Sequence, residues 1–202
     1  QSPYSASKIS SDAFAMSFYN SFSLPVVLAR PFNTYGPRQS ARAVIPTILT
    51  QILSGKTELK LGSLFPTRDF NYITDTCSAF SLLVENEKVI GKEINFGSGK
   101  EVSIKNLINI ISEITDTNLN VIESKERIRP KNSEVDRLLC SNDLITKLTG
   151  YKPKINLKVG ISKTYNWLKK PKNLSFYKTN FYNIWLMYQI ILQARTNSKR
   201  FI

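Results

Sequence analysis

The sequence contains no histidine. That excludes His-based catalytic triads and imidazole metal sites. Cysteine is nearly as scarce: Cys77 and Cys140 stand alone and far apart. Such spacing fits neither a disulfide framework nor a zinc site, so no metal is expected. A reducing cytoplasm is the simplest compartment for two free thiols. No apolar run approaches the ~18 residues of a membrane span, and no secretory pattern opens the chain. No membrane partner is therefore expected. Acidic residues are missing from 144–202, which carry ten Lys and two Arg, nearly all of the net charge of +13. These cations are scattered among apolar residues and no nucleic-acid-binding motif accompanies them. They read as solvated surface, with no nucleic-acid partner. Glycine is also sparse. The only G-x-G is Gly97-Ser98-Gly99, with Val102 where a third glycine would complete a dinucleotide-binding turn.

What is present is the composition of a globular protein, 42% hydrophobic and 11% aromatic over 202 residues. That length allows one core or two small lobes. Ile9, Ala13, Met16, Phe14 and Phe18 give an apolar face to a helix over 4–22, with Ser2 as N-cap and Pro3 at the first position. Leu24 to Ala29 reads as a buried parallel strand ending at Arg30-Pro31. Further helices are expected over 44–53, 76–86 (capped by Asp75), 103–114 (capped by Ser103), 142–148 and 157–168. Strands are expected over 59–62, 67–73, 92–97 and 119–122. The alternation argues an α/β fold.

Two stretches carry chemistry. Tyr4 and Lys8 are four residues apart and share one helix face. A phenol of pKa ~10 needs about 4 kcal/mol of phenolate stabilisation to titrate near ~7, and an adjacent cation supplies part of it. Such a pair suits removal of a proton from a sugar or alcohol hydroxyl. Spacing alone does not make a site, because Tyr165 and Lys169 repeat it. The second stretch is the loop Arg30-Pro31-Phe32-Asn33-Thr34-Tyr35-Gly36-Pro37-Arg38-Gln39-Ser40. It follows the C-terminal end of a parallel strand, where open α/β sheets place ligands.

Ser2-Pro3-Tyr4-Ser5-Ala6-Ser7-Lys8, the loop from Arg30 to Arg38, and Thr67-Arg68-Asp69-Phe70-Asn71-Tyr72-Ile73-Thr74-Asp75 occur in that order. Together with Asn95-Phe96-Gly97-Ser98-Gly99 and Arg129-Pro130, this order resembles the extended short-chain dehydrogenase/reductases, the NAD-dependent nucleotide-sugar epimerases and dehydratases. Gly36 to Ile48 and Arg129 to Val135 are most similar to 4,6-dehydratases acting on nucleotide-linked N-acetylglucosamine in legionaminic acid synthesis. The second run is also similar to GDP-mannose 4,6-dehydratases, so a UDP or GDP sugar is left open.

The resemblance implies a partial NAD(P)-binding Rossmann fold, the C-terminal part of its parallel sheet, with a small α/β substrate-binding lobe. Residues 1–38 and 68–88 would form the Rossmann part, 39–67 and 89–170 the lobe, and 171–202 a tail. Tyr4 would deprotonate the sugar 4-hydroxyl, with Lys8 holding the nicotinamide ribose and Pro31 and Phe32 beside the nicotinamide. Asn33 and Arg38 would touch the sugar nucleotide. Val44, Ile45 and Pro46 would pack near its base, Arg68 and Arg129 would neutralise the diphosphate, and Glu134 would reach a ribose hydroxyl. Oxidation at C4, loss of water across C5 and C6, and reduction at C6 would give a 4-keto-6-deoxy sugar, with NAD recycled. A nucleotide-sugar 4-epimerase and a non-catalytic sugar-nucleotide-binding remnant are the alternatives, and a cytoplasmic homodimer is the family expectation. The glycine-rich turn and the upstream acid/base residues are not in this sequence. The chain is therefore expected to be a C-terminal portion, inactive alone. Calorimetry on the 202-residue chain is expected to show weak NAD binding, and tight binding would overturn this view.

Overall fold

A computed structural model describes residues 3–124 and 135–177. Short parallel strand pairs organise it. β1 (Leu28–Pro31) pairs with β6 (Glu93–Phe96), β2 (Thr34–Tyr35) with β5 (Asn71–Tyr72), and β3 (Glu58–Leu61) with β8 (Asn120–Glu123). β4 (Thr67–Asp69) lies between antiparallel β7 (Glu101–Ser103) and parallel β9 (Arg137–Leu138). Helices α1 (Pro3–Phe22), α2 (Val44–Leu53), α3 (Ile73–Val84), α4 (Ile104–Thr115), α5 (Asp143–Thr149), α6 (Leu157–Leu168) and α7 (Pro171–Leu174) connect and cover them. The result is the expected α/β class.

Two apolar clusters form. One joins α2, α4 and α6 around Tyr35, Phe70, Tyr72 and the inward Leu59 and Leu61 of β3. Gly160 makes this packing possible: a Cβ there would meet the Tyr35 hydroxyl at 2.0 Å. The other unites Ala79 and Leu83 of α3 with Ile94 and Phe96 of β6, Ile145 of α5, and Tyr151.

Several elements differ from the sequence reading. The first strand begins at Leu28 rather than Leu24; Pro25 lacks an N–H to donate to a ladder. The run 67–73 is not one strand but two, broken at Phe70 and paired in different sheets. Asp75 does not cap α3. It lies inside the first turn, buried, and accepts from the backbone N–H groups of Lys154 and Ile155. Ser103 does cap α4, accepting from the Asn106 N–H. The single apolar face expected for α1 does not form: Phe14, Phe18 and Phe22 stack along one side, Ile9 lies on the other, all four are exposed, and no α1 residue is buried. Asp12 and Glu93 both pair with Arg30, tying α1 and β6 to β1.

The break at Phe70 is set by Asp69, which is fully buried. Its carboxylate has no cationic partner among the described residues. It accepts from Ser98 N–H (2.8 Å), Ser98 O–H (2.6 Å), Gly99 N–H (2.9 Å) and Cys140 N–H (3.2 Å). Gly97 completes the approach, because a Cβ there would meet Cys140 Cβ at 2.8 Å. Asn142 clamps the same turn through Gly97 N–H and C=O. The Tyr151 hydroxyl donates to the Gly97 carbonyl and accepts from Asn71 Nδ2.

Replacing Asp69 with Asn puts an amide against this set of donors. Charge-assisted hydrogen bonds contribute about 1.5–3 kcal/mol each, and a stranded buried donor costs about as much. D69N is expected to lower unfolding stability in urea by at least about 2 kcal/mol. E101Q, which breaks the exposed Arg137 pair, should change it far less, because solvent screens the pair. Equal effects would refute the assigned role.

Burial first, and the Asp69 charge second, push the Cys140 thiol from its ordinary 9.0 up to about 12. Burial likewise carries the Tyr151 phenol from 10.0 to about 12. Both groups are neutral in the fold and ionise more easily when unfolded. Their stabilisation is complete below about pH 9 and is lost as pH rises toward 12. Melting temperature should hold between pH 7 and 8.5 and fall above pH 9. A thiol titration of the native protein should detect exposed Cys77 and not buried Cys140. Native reaction of both thiols at pH 8 would contradict the burial.

Candidate functional site

The loop leaving β1 is fixed before it can bind anything. Asn33 Nδ2 donates to the Asp69 carbonyl at 3.0 Å, while Asn71 N–H donates to the Asn33 carbonyl at 3.1 Å. Thr34 and Thr76 hydroxyls meet at 3.0 Å, and Gln39 Nε2 donates to the Thr34 carbonyl at 2.7 Å. The Asp69 strand therefore positions the loop from its far side.

Between this loop, α2 and β4 lies a cavity of about 310 Å³. Asn33, Val44, Ile45 and Arg68, from three separate segments, meet in its wall. Arg42 adds a second guanidinium, and among the described residues no Asp or Glu lines the cavity. Arg68 Nη1 donates to the Thr67 and Val135 carbonyls, which steadies its side chain beside β9. The N-terminus of α2 opens on the same space. Ala43, its N-cap position, provides no side-chain cap, so the first-turn amides and the helix dipole favour an anion. Val44, Ile45, Leu61 and Phe70 line an apolar portion. Such a cavity suits a ligand with a planar apolar end and a phosphate-like end.

Pro46 is buried in the first turn of α2, next to this wall but not in it. There its missing N–H breaks no helical hydrogen bond. Arg38 is not brought to this cavity. It sits at φ +67°, in the left-handed region, and lines a different cavity of about 600 Å³ beside Trp167. Pro31 ends β1, and Phe32 donates its N–H to the Phe96 carbonyl. Arg129, Glu134 and the tail beyond 177 lie outside the described residues.

Tyr4 and Lys8 share a face of α1, with Lys8 Nζ 5.6 Å from the Tyr4 ring centroid. Lys169 lies 5.4 Å from the Tyr165 ring, so geometry within the pair does not separate the two motifs. Tyr4 is 71% exposed and its phenol makes no hydrogen bond among the described residues. Neither Tyr4 nor Lys8 lines the 310 Å³ cavity. The Gly97-Ser98-Gly99 amides form an anion nest, but Asp69 already fills it. That turn does not hold a dinucleotide phosphate.

Sequence reasoning passed over Gln39, Arg42 and Ser63, which also line the cavity. Gln39 and Arg42 stand inside the run compared with the dehydratases; Ser63 had no signal beyond its place after a strand. Gln39 Oε1 is buried without a hydrogen-bond partner, a cost of about 1–3 kcal/mol in the cavity wall. Among the described residues, no cluster of three or more His, Cys, Asp or Glu could hold a metal, and no helix is long and apolar enough to cross a membrane.

Residues 1–164 match the family model described as GDP-mannose 4,6 dehydratase. A human dTDP-D-glucose 4,6-dehydratase is 30% identical over 185 residues, covering 90% of this chain and 49% of its own length. A GDP-6-deoxy-D-mannose reductase of Pseudomonas aeruginosa is 29% identical over 163 residues, covering 78% and 53%. The solved UDP-glucuronic acid 4-epimerase of Bacillus cereus, in complex with UDP-glucuronic acid and NAD, superposes with a TM-score of 0.77 at 26% identity, covering 87% and 54%. The chain spans about half the length of the curated relatives it matches. With its Tyr4-to-Lys8, Arg30-to-Arg38 and Arg68-to-Asp75 segments inside the matched residues, the chain belongs to the GDP-mannose 4,6 dehydratase family of nucleotide-sugar epimerases and dehydratases.

Proposed function

We propose that this chain carries the substrate-recognition elements and the tyrosine base of an NAD-dependent nucleotide-sugar 4,6-dehydratase. The finer reading is a UDP- or GDP-linked N-acetylglucosamine substrate, as in legionaminic acid synthesis. It rests on the likeness of residues 36–48. One observation carries the proposal: a cavity that unites Asn33, Arg42 and Arg68 with the α2 N-terminus and an apolar wall. The guanidinium of Arg68 pairs with diphosphate oxygens, where a planar fork gives two parallel hydrogen bonds. Val44 and Ile45 pack on the base. Asn33, held from behind by Asp69, orients the sugar-nucleotide linkage.

At the sugar, the Tyr4 phenolate accepts the proton of the 4-hydroxyl. Lys8 stands one turn away on the same helix face, placed to hold the nicotinamide ribose. NAD, when bound, supplies hydride acceptance and return. The residues present fit only its nicotinamide end, through Tyr4, Lys8, Pro31 and Phe32, because the glycine nest at 97–99 is filled by Asp69. A 4-epimerase is the second reading, favoured by the superposition on the Bacillus cereus enzyme. Both reactions begin with the same proton transfer to Tyr4.

Calorimetry with UDP and GDP tests the recognition half directly. Binding of one of them is expected, and Arg68→Ala should weaken it by about 10- to 100-fold, the loss of charge-assisted hydrogen bonds. Unchanged affinity in R68A would remove the cavity from the proposal.

A further inference from the structure

We propose that the cavity beside Trp167 is a binding site for a small planar aromatic anion, separate from the nucleotide cavity. It encloses about 600 Å³ between the 38–41 loop and the segment 167–177. That volume suits a one- or two-ring ligand.

Its walls are aromatic and cationic at once. Trp167, Phe176 and Tyr177 line it, and the Trp167 and Tyr177 rings stand 6.4 Å apart at 82°. Phe176 is 74% exposed, so a stacked ligand would remove apolar surface from water. Arg38 and Lys172 also line the cavity, no Asp or Glu does, and neither cation has an acidic partner among the described residues. An anion is the complement of that charge. A planar ring also stacks on a guanidinium as well as on the aromatic walls.

The site is built rather than incidental. Tyr177 donates its hydroxyl to the Gln39 carbonyl at 2.9 Å, and Asn173 Nδ2 donates to the Trp167 carbonyl at 2.8 Å. Gln39 in turn holds Thr34. These bonds fix the wall before any ligand arrives. Arg38 reaches the lining from a left-handed backbone, φ +67°. Strain of that kind at a cavity-lining, unpaired cation is a mark of functional placement. Gln39, whose Oε1 is left unpaired, stands in the wall that this cavity shares with the nucleotide cavity.

The test uses the full chain and 2-naphthoate, with the neutral 2-naphthamide and acetate as comparison ligands, read by ligand-observed NMR and calorimetry. Naphthoate is expected to bind at least tenfold more tightly than naphthamide, and acetate to show no binding. Arg38→Gly combined with Lys172→Ala should weaken naphthoate at least tenfold. Glycine accepts the left-handed backbone, so the melting temperature of this variant should be unchanged or higher. Ala41→Trp, which fills the cavity, should abolish binding, and Arg68→Ala should leave it intact. Three outcomes overturn the proposal: no naphthoate binding, equal binding of naphthamide, or naphthoate affinity retained in both the double variant and A41W. The last would place the probe outside this cavity.

Discussion

One buried carboxylate organises the molecule. Asp69 is fully buried with no cation beside it among the described residues, and four N–H and O–H donors take the place of one. Those donors come from the 97–99 turn and from Cys140, which are distant in sequence. A buried carboxylate without hydrogen-bond donors is costly, so the fold depends on keeping these donors in position. The strand pairing of β4, the turn after β6 and the start of α5 are thus locked together. The backbone of the same residue holds Asn33. The buried carboxylate and the loop after β1 are therefore coupled through one residue.

That coupling explains the kink between β4 and β5. A continuous strand over 67–73 would keep Asp69 in one ladder and Asn71 in the same one. Instead Asp69 belongs to the β7-β4-β9 sheet and Asn71 pairs with Tyr35's strand. The two sheets meet at Phe70, which packs in the main cluster and also lines the 310 Å³ cavity. Arg68 projects from one side of this junction and Asn33 is anchored on the other. The cavity exists because the chain changes sheets between them.

Much of this was legible in the residues. Periodicity placed α2 and α6 to the residue, and the Ser103 cap was visible because a hydroxyl before an apolar period has one common use. The family resemblance named Asn33, Val44, Ile45 and Arg68 together, and the fold places all four in the wall of one cavity. What stayed hidden was long-range. Asp69 and Asp75 read as a strand residue and a cap, because nothing local shows that amides 29 and 79 residues away will fill their lone pairs. Arg38 read as a substrate contact, yet its left-handed backbone belongs to the other cavity. The apolar residues of α1 read as one face, but at 100° per residue Phe14 and Phe18 fall opposite Ile9, and the helix is only weakly amphipathic.

The two ends of the proposed chemistry have different physical standing. Recognition rests on groups that the fold converges from separate segments, a placement that chance spacing does not produce. The base rests on a pair set by helix geometry alone, and Tyr165 with Lys169 shows how readily any helix makes one. What raises Tyr4 above Tyr165 is therefore not its distance to lysine. It is the ordered company of the β1 loop and the Arg68 strand. Arg30, which salt-links α1 to β1 and β6 at the root of that loop, is the side chain that ties the two ends together.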